Sequence, residues 1–196
     1  VSRKRGAGVG ALFQHYVAEP ISSEWYSPPE IVDPCRSMLD GRFALDPASC
    51  AVANHLVKAD RFMTEADDGL AGDTWEAPSV WLNPPSPPGP WWDKLVRSYS
   101  KGLIGWAVFF AYSIDQLAMV QVRTPKLFAE EWRRSSTSVV LLRDRVRFML
   151  HTGQMALDGT PGFERGKQPM HGSALIVLGT ERSKVQRYLG TAGWVP

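Results

Sequence analysis

The chain is poor in the features that mark several large protein classes. It holds two cysteines, Cys35 and Cys50, and four histidines, His15, His55, His151 and His171. None falls in a C-x-x-C or H-x-x-x-H spacing, so neither a disulfide scaffold nor a zinc centre is expected. No apolar run approaches the roughly 20 residues that span a bilayer, and the longest, residues 104–112, has the length of one buried strand. A membrane partner is therefore not expected. There is no internal repeat and no linker-like stretch dividing the chain. Charge of either sign is also short of excess: 22 Lys and Arg face 20 Asp and Glu, a net +2. That balance permits a polyanionic partner without requiring one.

What is present is ordinary globular composition, 44% hydrophobic and 21% charged over 196 residues, enough for one domain with a substantial core. The first residues, VSRKRGAGVGALF, join a basic start to a brief, glycine-broken apolar part. This predicts a flexible basic arm over residues 1–20 in place of a secretion signal. Residues 21–196 then form the single domain, and a cytoplasmic location follows.

Helix and strand patterns alternate along that domain. EWYSPPEIVDPCRSM (24–38) predicts a helix with Ser27 as N-cap, Pro28 at the first helical position and Glu30 at the third. RFALD (42–46) reads as a buried strand, Pro47-Ala48-Ser49 as a tight turn, and residues 50–58 as a helix. A short strand at 61–63 leads into TEADDGL (64–70), where Asp-Asp-Gly marks a loop. A strand at 79–82, a helix at 91–100, a central strand at 104–112 and a helix at 115–122 follow. The last third offers strands at 138–142, 145–150 and 174–178, with a Gly/Pro-rich connection at 153–171, and a helix at 181–189. Such alternation predicts an α/β fold: a mostly parallel, doubly wound sheet covered on both faces, with an antiparallel C-terminal edge.

The stretch VWLNPPSPPGPWW (80–92) must leave the sheet as a loop, because each proline fixes φ and lacks a backbone N–H. It follows a strand, as does Asp46-Pro47-Ala48, and open α/β sheets bind ligands at such carboxyl ends. An exocyclic purine amine is a weak nucleophile because its lone pair is delocalised into the ring. The Asn83 side-chain oxygen and the Pro84 carbonyl can each accept one amino hydrogen, turning the nitrogen toward tetrahedral geometry as it attacks a methyl group. Prolines stiffen the loop that does so. The other loop places backbone N–H groups for the anionic end of an S-adenosylmethionine molecule, and Asp67 or Asp68 is available to its ribose hydroxyls. Plainer roles stand beside these. Asp46 fits a helix cap, Asp67 and Asp68 fit turn residues, and Trp25 and Tyr26 fit core positions. The proline run fits a polyproline docking segment.

The blocks EWYSPPEIVDP, FALDPAS, FMTEADDGL followed by Trp75, VWLNPPS and LLRDRVRF together resemble the phage-type DNA N6-adenine methyltransferase family. They follow the family's order and cover most of residues 24–178. The resemblance implies an S-adenosylmethionine-dependent enzyme with a Rossmann-like methyltransferase fold, acting on adenine in DNA in a bacterium or phage-infected host. It implies Asn83, Pro84, Pro85 and Ser86 as the catalytic loop. Trp25, Tyr26, Ser27 and Pro28, with Asp46, Pro47 and Ala48, would line the cofactor pocket.

One departure matters. The family's fourth catalytic position is aromatic, and here it is Ser86. An aromatic there stacks on the base drawn out of the duplex, a step that chemistry on a buried base requires. Trp91 or Trp92 from the next helix is the expected substitute. Arg143, Arg145 and Arg147 alternate along an expected strand and so share one face, a basic stripe suited to phosphates, with Arg133 and Arg134 in a nearby loop. Charges protecting a solvated edge strand give the same pattern. Two other functions fit the same residues: methylation of a protein amide or of RNA, and a non-catalytic nucleic-acid or proline-docking module.

Overall fold

A strand covered on both faces must be apolar at successive positions, because its side chains turn alternately to opposite sides. In a computed structural model of the protein that describes residues 24–39, 41–126 and 136–196, this requirement selects the centre of the sheet. The first half of the chain gives α1 (Pro29–Ser37), β1 (Phe43–Asp46), α2 (Ala51–Val57), β2 (Ala59–Phe62), a short 3-10 turn (Glu65–Asp67), β3 (Ala77–Leu82) and α3 (Gly89–Ser100). The second gives β4 (Ile104–Ala111), α4 (Asp115–Arg123), β5 (Thr137–Leu142), β6 (Met149–Met155), β7 (Pro161–Arg165), β8 (Ala174–Leu178), α5 (Arg182–Leu189) and β9 (Gly193–Trp194). The arm expected over residues 1–20, and Arg133 and Arg134, lie outside the described residues.

Seven strands lie in the order β2-β1-β3-β4-β8-β5-β9. The first four are parallel, β8 runs antiparallel between β4 and β5, and β9 is antiparallel on the outer edge. The antiparallel part is therefore larger than an edge, since β8 is interior. In β4, Val108 and Phe110 face one helical layer while Ala107 and Phe109 face the other, and β8 alternates in the same way. Side chains of α1, α2 and α5 fill the first layer. Trp92 and Leu95 of α3 and Val120 of α4 fill the second. The protein is thus a mixed α/β fold with a mostly parallel central sheet. Among the described residues no helix is long and apolar enough to cross a membrane.

The chain passes from β1 through α2 to β2 on one side, then crosses to β3 on the other side of β1. The carboxyl ends of β1 and β3 consequently flank a topological switch point, where connections part to opposite directions and leave a crevice.

Several local expectations are corrected. Helix α1 starts one residue later than expected, with Pro28 at the N-cap and no side-chain cap. A residue before proline is driven out of the helical region, so Pro29 keeps Pro28 extended (φ −74°, ψ 149°) and the helix begins only after it. Asp46 does not cap α2; the Cys50 thiol does, accepting from the Ala53 N–H at 3.4 Å. The connection at 153–171 contains β7, which pairs with β6 as a hairpin outside the main sheet. Residues 143–148 are not a strand. Val146 and Phe148 are buried and Arg145 and Arg147 exposed, so the alternation is real, but Arg143 lies in a bend and ladder pairing resumes only at Met149. Periodicity chose the buried face; it did not supply a partner strand.

Candidate functional site

The crevice at the switch point opens into a cavity of about 840 Å³, within the range of small-molecule sites. Its walls come from segments distant in sequence: residues 24–27, the loop after β1, the loop after β2, the loop after β3, the end of β4 and the connection into β8.

Asp46 is the last residue of β1 and is only 2% exposed. Its carboxylate accepts from the Ala48 N–H at 3.2 Å. Burial pushes its pKa up to about 7 against the opposing effect of that hydrogen bond. Its backbone carbonyl accepts from Met63, and Met63 in turn accepts from Ser49, both at 2.9 Å. The turn after β1 is thereby tied to the end of β2. Pro47 and Ala48 also line the cavity.

The acidic loop closes against that turn at Gly69, where no side chain fits. A Cβ there would lie 2.0 Å from the Pro47 carbonyl oxygen and 2.8 Å from the Trp91 ring. The Gly69 carbonyl accepts from Trp75 Nε1 at 2.8 Å and from Lys94 Nζ at 3.0 Å. Lys94 is 3% exposed, also donates to the Ala71 carbonyl at 2.5 Å, and lies 5.0 Å from the centre of the Trp75 ring. Burial lowers its pKa, with Asp68 and Asp73 pulling the other way.

The two aspartates of this loop separate. Asp67 receives the Thr64 N–H at 2.8 Å and the Thr64 hydroxyl at 2.7 Å, completing a capping box, and is not on the cavity wall. Those two bonds hold its carboxyl below the usual value. Asp68 is on the wall, in the left-handed conformation (φ 46°), and accepts from the Leu70 N–H at 3.1 Å.

Trp25, Tyr26 and Ser27 also line the cavity; Pro28 does not. Trp25 stands edge-on to Phe148, with ring centroids 6.3 Å apart. Tyr26 exchanges backbone hydrogen bonds with Met149, and its hydroxyl donates to Glu24 Oε2 at 2.7 Å. The Cys50 thiol approaches the same carboxylate oxygen at 3.8 Å.

Asn83, Pro84, Pro85 and Ser86 all line the cavity, with Asn83 half-buried and Pro84 buried. Among the described residues no hydrogen-bond partner occupies the Asn83 carboxamide. The loop ends at Gly89, where α3 begins. That start turns Trp92 inward: it is wholly buried edge-on to Phe109 at 5.1 Å, its Nε1 donating to Thr124 Oγ1 at 3.1 Å. Trp92 is a core residue and cannot meet DNA. Trp91 reaches the cavity but packs on Trp75, with centroids 6.1 Å apart. Arg143, Arg145 and Arg147 are exposed and lie off the cavity wall, and Arg147 Nε donates to the Gly166 carbonyl at 3.0 Å.

Sequence reasoning missed Tyr112, Phe148, Lys167 and His171, all on the wall. Tyr112 had a readable signal, since it directly follows an apolar strand and so occupies the same kind of carboxyl end as Asp46 and Asn83. The 167–171 segment had none. Comparison of the chain with known protein families, with curated proteins and with solved structures returned no match. The resemblance to phage-type adenine methyltransferases therefore rests on the motif blocks alone.

Proposed function

We propose that the protein is an S-adenosylmethionine-dependent methyltransferase acting on the N6 amine of adenine in DNA, built on a Rossmann-like methyltransferase fold. One observation carries the reading. Asp46 ends β1, Asn83 directly follows the neighbouring parallel strand β3, and the loops after both line one cavity of small-molecule size.

The residues present suit the cofactor. Asp46 puts a carboxylate in a wall that is otherwise largely apolar, a favourable partner for a cationic ligand. Asp68 offers acceptors to hydroxyls, and Trp91 and Met63 offer apolar surface. When bound, S-adenosylmethionine supplies a methyl carbon made electrophilic by its sulfonium. The chain's own work is to present the amine. The Asn83 side-chain oxygen and the Pro84 carbonyl accept the two amino hydrogens, which localises the nitrogen lone pair and favours the positive charge it develops. Pro84, Pro85 and Pro87 restrict the loop so that this geometry costs little entropy.

The test is methyl transfer from labelled S-adenosylmethionine to unmethylated DNA by the full chain, with Asn83→Ala beside it. The expected result is labelled adenine, reduced by about two to three orders of magnitude in the variant, the scale of one lost preorganised contact. Equal labelling by both proteins, or none by the unaltered one, overturns the proposal.

A further inference from the structure

The loop after β3 lacks the aromatic that the proposed reaction needs for an extracted base, and the structure offers a replacement from another strand. β3 and β4 pair in parallel with Leu82 beside Phe109. β4 runs on to Ala111, so Tyr112 stands about 10 Å beyond Leu82 at the usual strand rise, alongside the loop that starts at Asn83. Tyr112 is 37% exposed and lines the same cavity as Asn83 and Ser86.

Its backbone is fixed while its ring is uncommitted. The Tyr112 carbonyl accepts from the buried Ser173 hydroxyl at 2.9 Å. Ala111 pairs with Ala174 before it, and Ile114 N–H donates to the Gly172 carbonyl after it. Among the described residues no other aromatic ring packs on Tyr112. The competing aromatics are engaged: Trp92 and Trp81 are fully buried, Tyr26 is 7% exposed, and Trp91 covers Trp75 and Gly69. Trp25 is exposed, but it belongs to the 24–27 wall and leans on Phe148.

We propose that Tyr112 supplies the stacking face for the target adenine, in the role that Ser86 cannot fill. This rests on the methyltransferase reading. It assigns base capture to the end of β4 and leaves the β3 loop to act on the amine alone.

The experiment measures kcat and KM for unmethylated DNA with the full chain and its Tyr112→Ala, Tyr112→Leu and Tyr112→Phe variants, with thermal stabilisation by S-adenosylmethionine measured in each. Loss of one base–aromatic stack corresponds to about a ten- to hundredfold fall in kcat/KM. That fall is expected for Ala and Leu, mostly recovered by Phe, with cofactor stabilisation preserved throughout. If the unaltered protein is active and Leu behaves as Tyr, the assignment to Tyr112 fails while the methyltransferase reading stands. Equal losses in Phe and Leu would place the effect in the hydroxyl and also overturn it. No transfer by the unaltered protein overturns both.

Discussion

Lys94 Nζ lies 3.0 Å from the carbonyl oxygen of Gly69, and the two residues belong to different sides of the switch point. Lys94 is on α3, which follows the Asn83 loop, and Gly69 is in the acidic loop that follows β2. The ammonium is buried and its second donor holds Ala71. A charge removed from water in this way is costly unless its hydrogen bonds are made. Here they fix the loop carrying Asp68 relative to the helix that begins beyond Asn83. The same fixation presses Gly69 against Pro47, so three loops around the cavity are held in one arrangement.

Lys94→Met keeps the apolar stem and removes the donors, taking one of two partners from the buried Gly69 carbonyl and leaving the exposed Ala71 without this bond. Losing a charged donor to a buried acceptor costs about 1–3 kcal/mol, and urea unfolding should show a decrease of that size. If the loop positions cofactor, the variant should also raise KM for S-adenosylmethionine while kcat at saturating cofactor is little changed. A fall in kcat with KM untouched would place Lys94 in the chemistry and refute a positioning role.

Asp46 should give the protein a stability that depends on pH in an unusual direction. Its carboxyl is pushed up to about 7 by burial, whereas an unfolded aspartate titrates near pH 3.9. Between about pH 4 and 7 the folded state therefore holds a proton that the unfolded state has released, so stability falls as pH rises through that window and levels off above it. Asp46→Asn, uncharged and nearly isosteric, should flatten this slope and raise stability at pH 8 by about 2–4 kcal/mol. If the cavity holds S-adenosylmethionine as proposed, the variant should also bind it more weakly, because the buried negative charge is lost. Parallel stability–pH curves for variant and unaltered protein would show that Asp46 keeps its ordinary ionisation.

The sheet was legible because β1, β3, β4 and β8 are short apolar runs bounded by strong turn chemistry, and FALD and VWLN mark their own carboxyl ends. The convergence of Asp46 and Asn83 followed from one general rule about where α/β sheets bind ligands. Other features escaped for physical reasons. Trp91 and Trp92 are equivalent in sequence until the phase of α3 is fixed by its start at Gly89, which buries one and leaves the other on the cavity wall. Asp67 and Asp68 are also equivalent until Thr64 claims the first in a capping box. β7 hid in a polar segment, PGFER, that satisfies only one partner strand and is barely buried. Lys167 and His171 reach the cavity through tertiary folding of a connection with no local signature.

The exposed arginines that precede Phe148 allow the proposed phosphate contact to be told apart from structural support. Arg145 and Arg147 leave the same side of an extended segment whose other side, Val146 and Phe148, is buried against the core. Arg147 is partly committed, donating from Nε to Gly166 in the segment that follows β7. Arg145 has no such tie among the described residues. Each phosphate neutralised by a protein cation steepens the salt dependence of duplex binding by about one unit of log K per log salt. If both meet phosphates in the proposed DNA complex, Arg145→Gln should reduce that slope by about one with thermal stability unchanged, and Arg147→Gln should reduce both the slope and stability. Measuring DNA affinity from 50 to 200 mM salt, about the range over which such contacts are read, decides between them. Unchanged slopes in both variants would assign this edge to solvent and send the search for the duplex to another face of the protein.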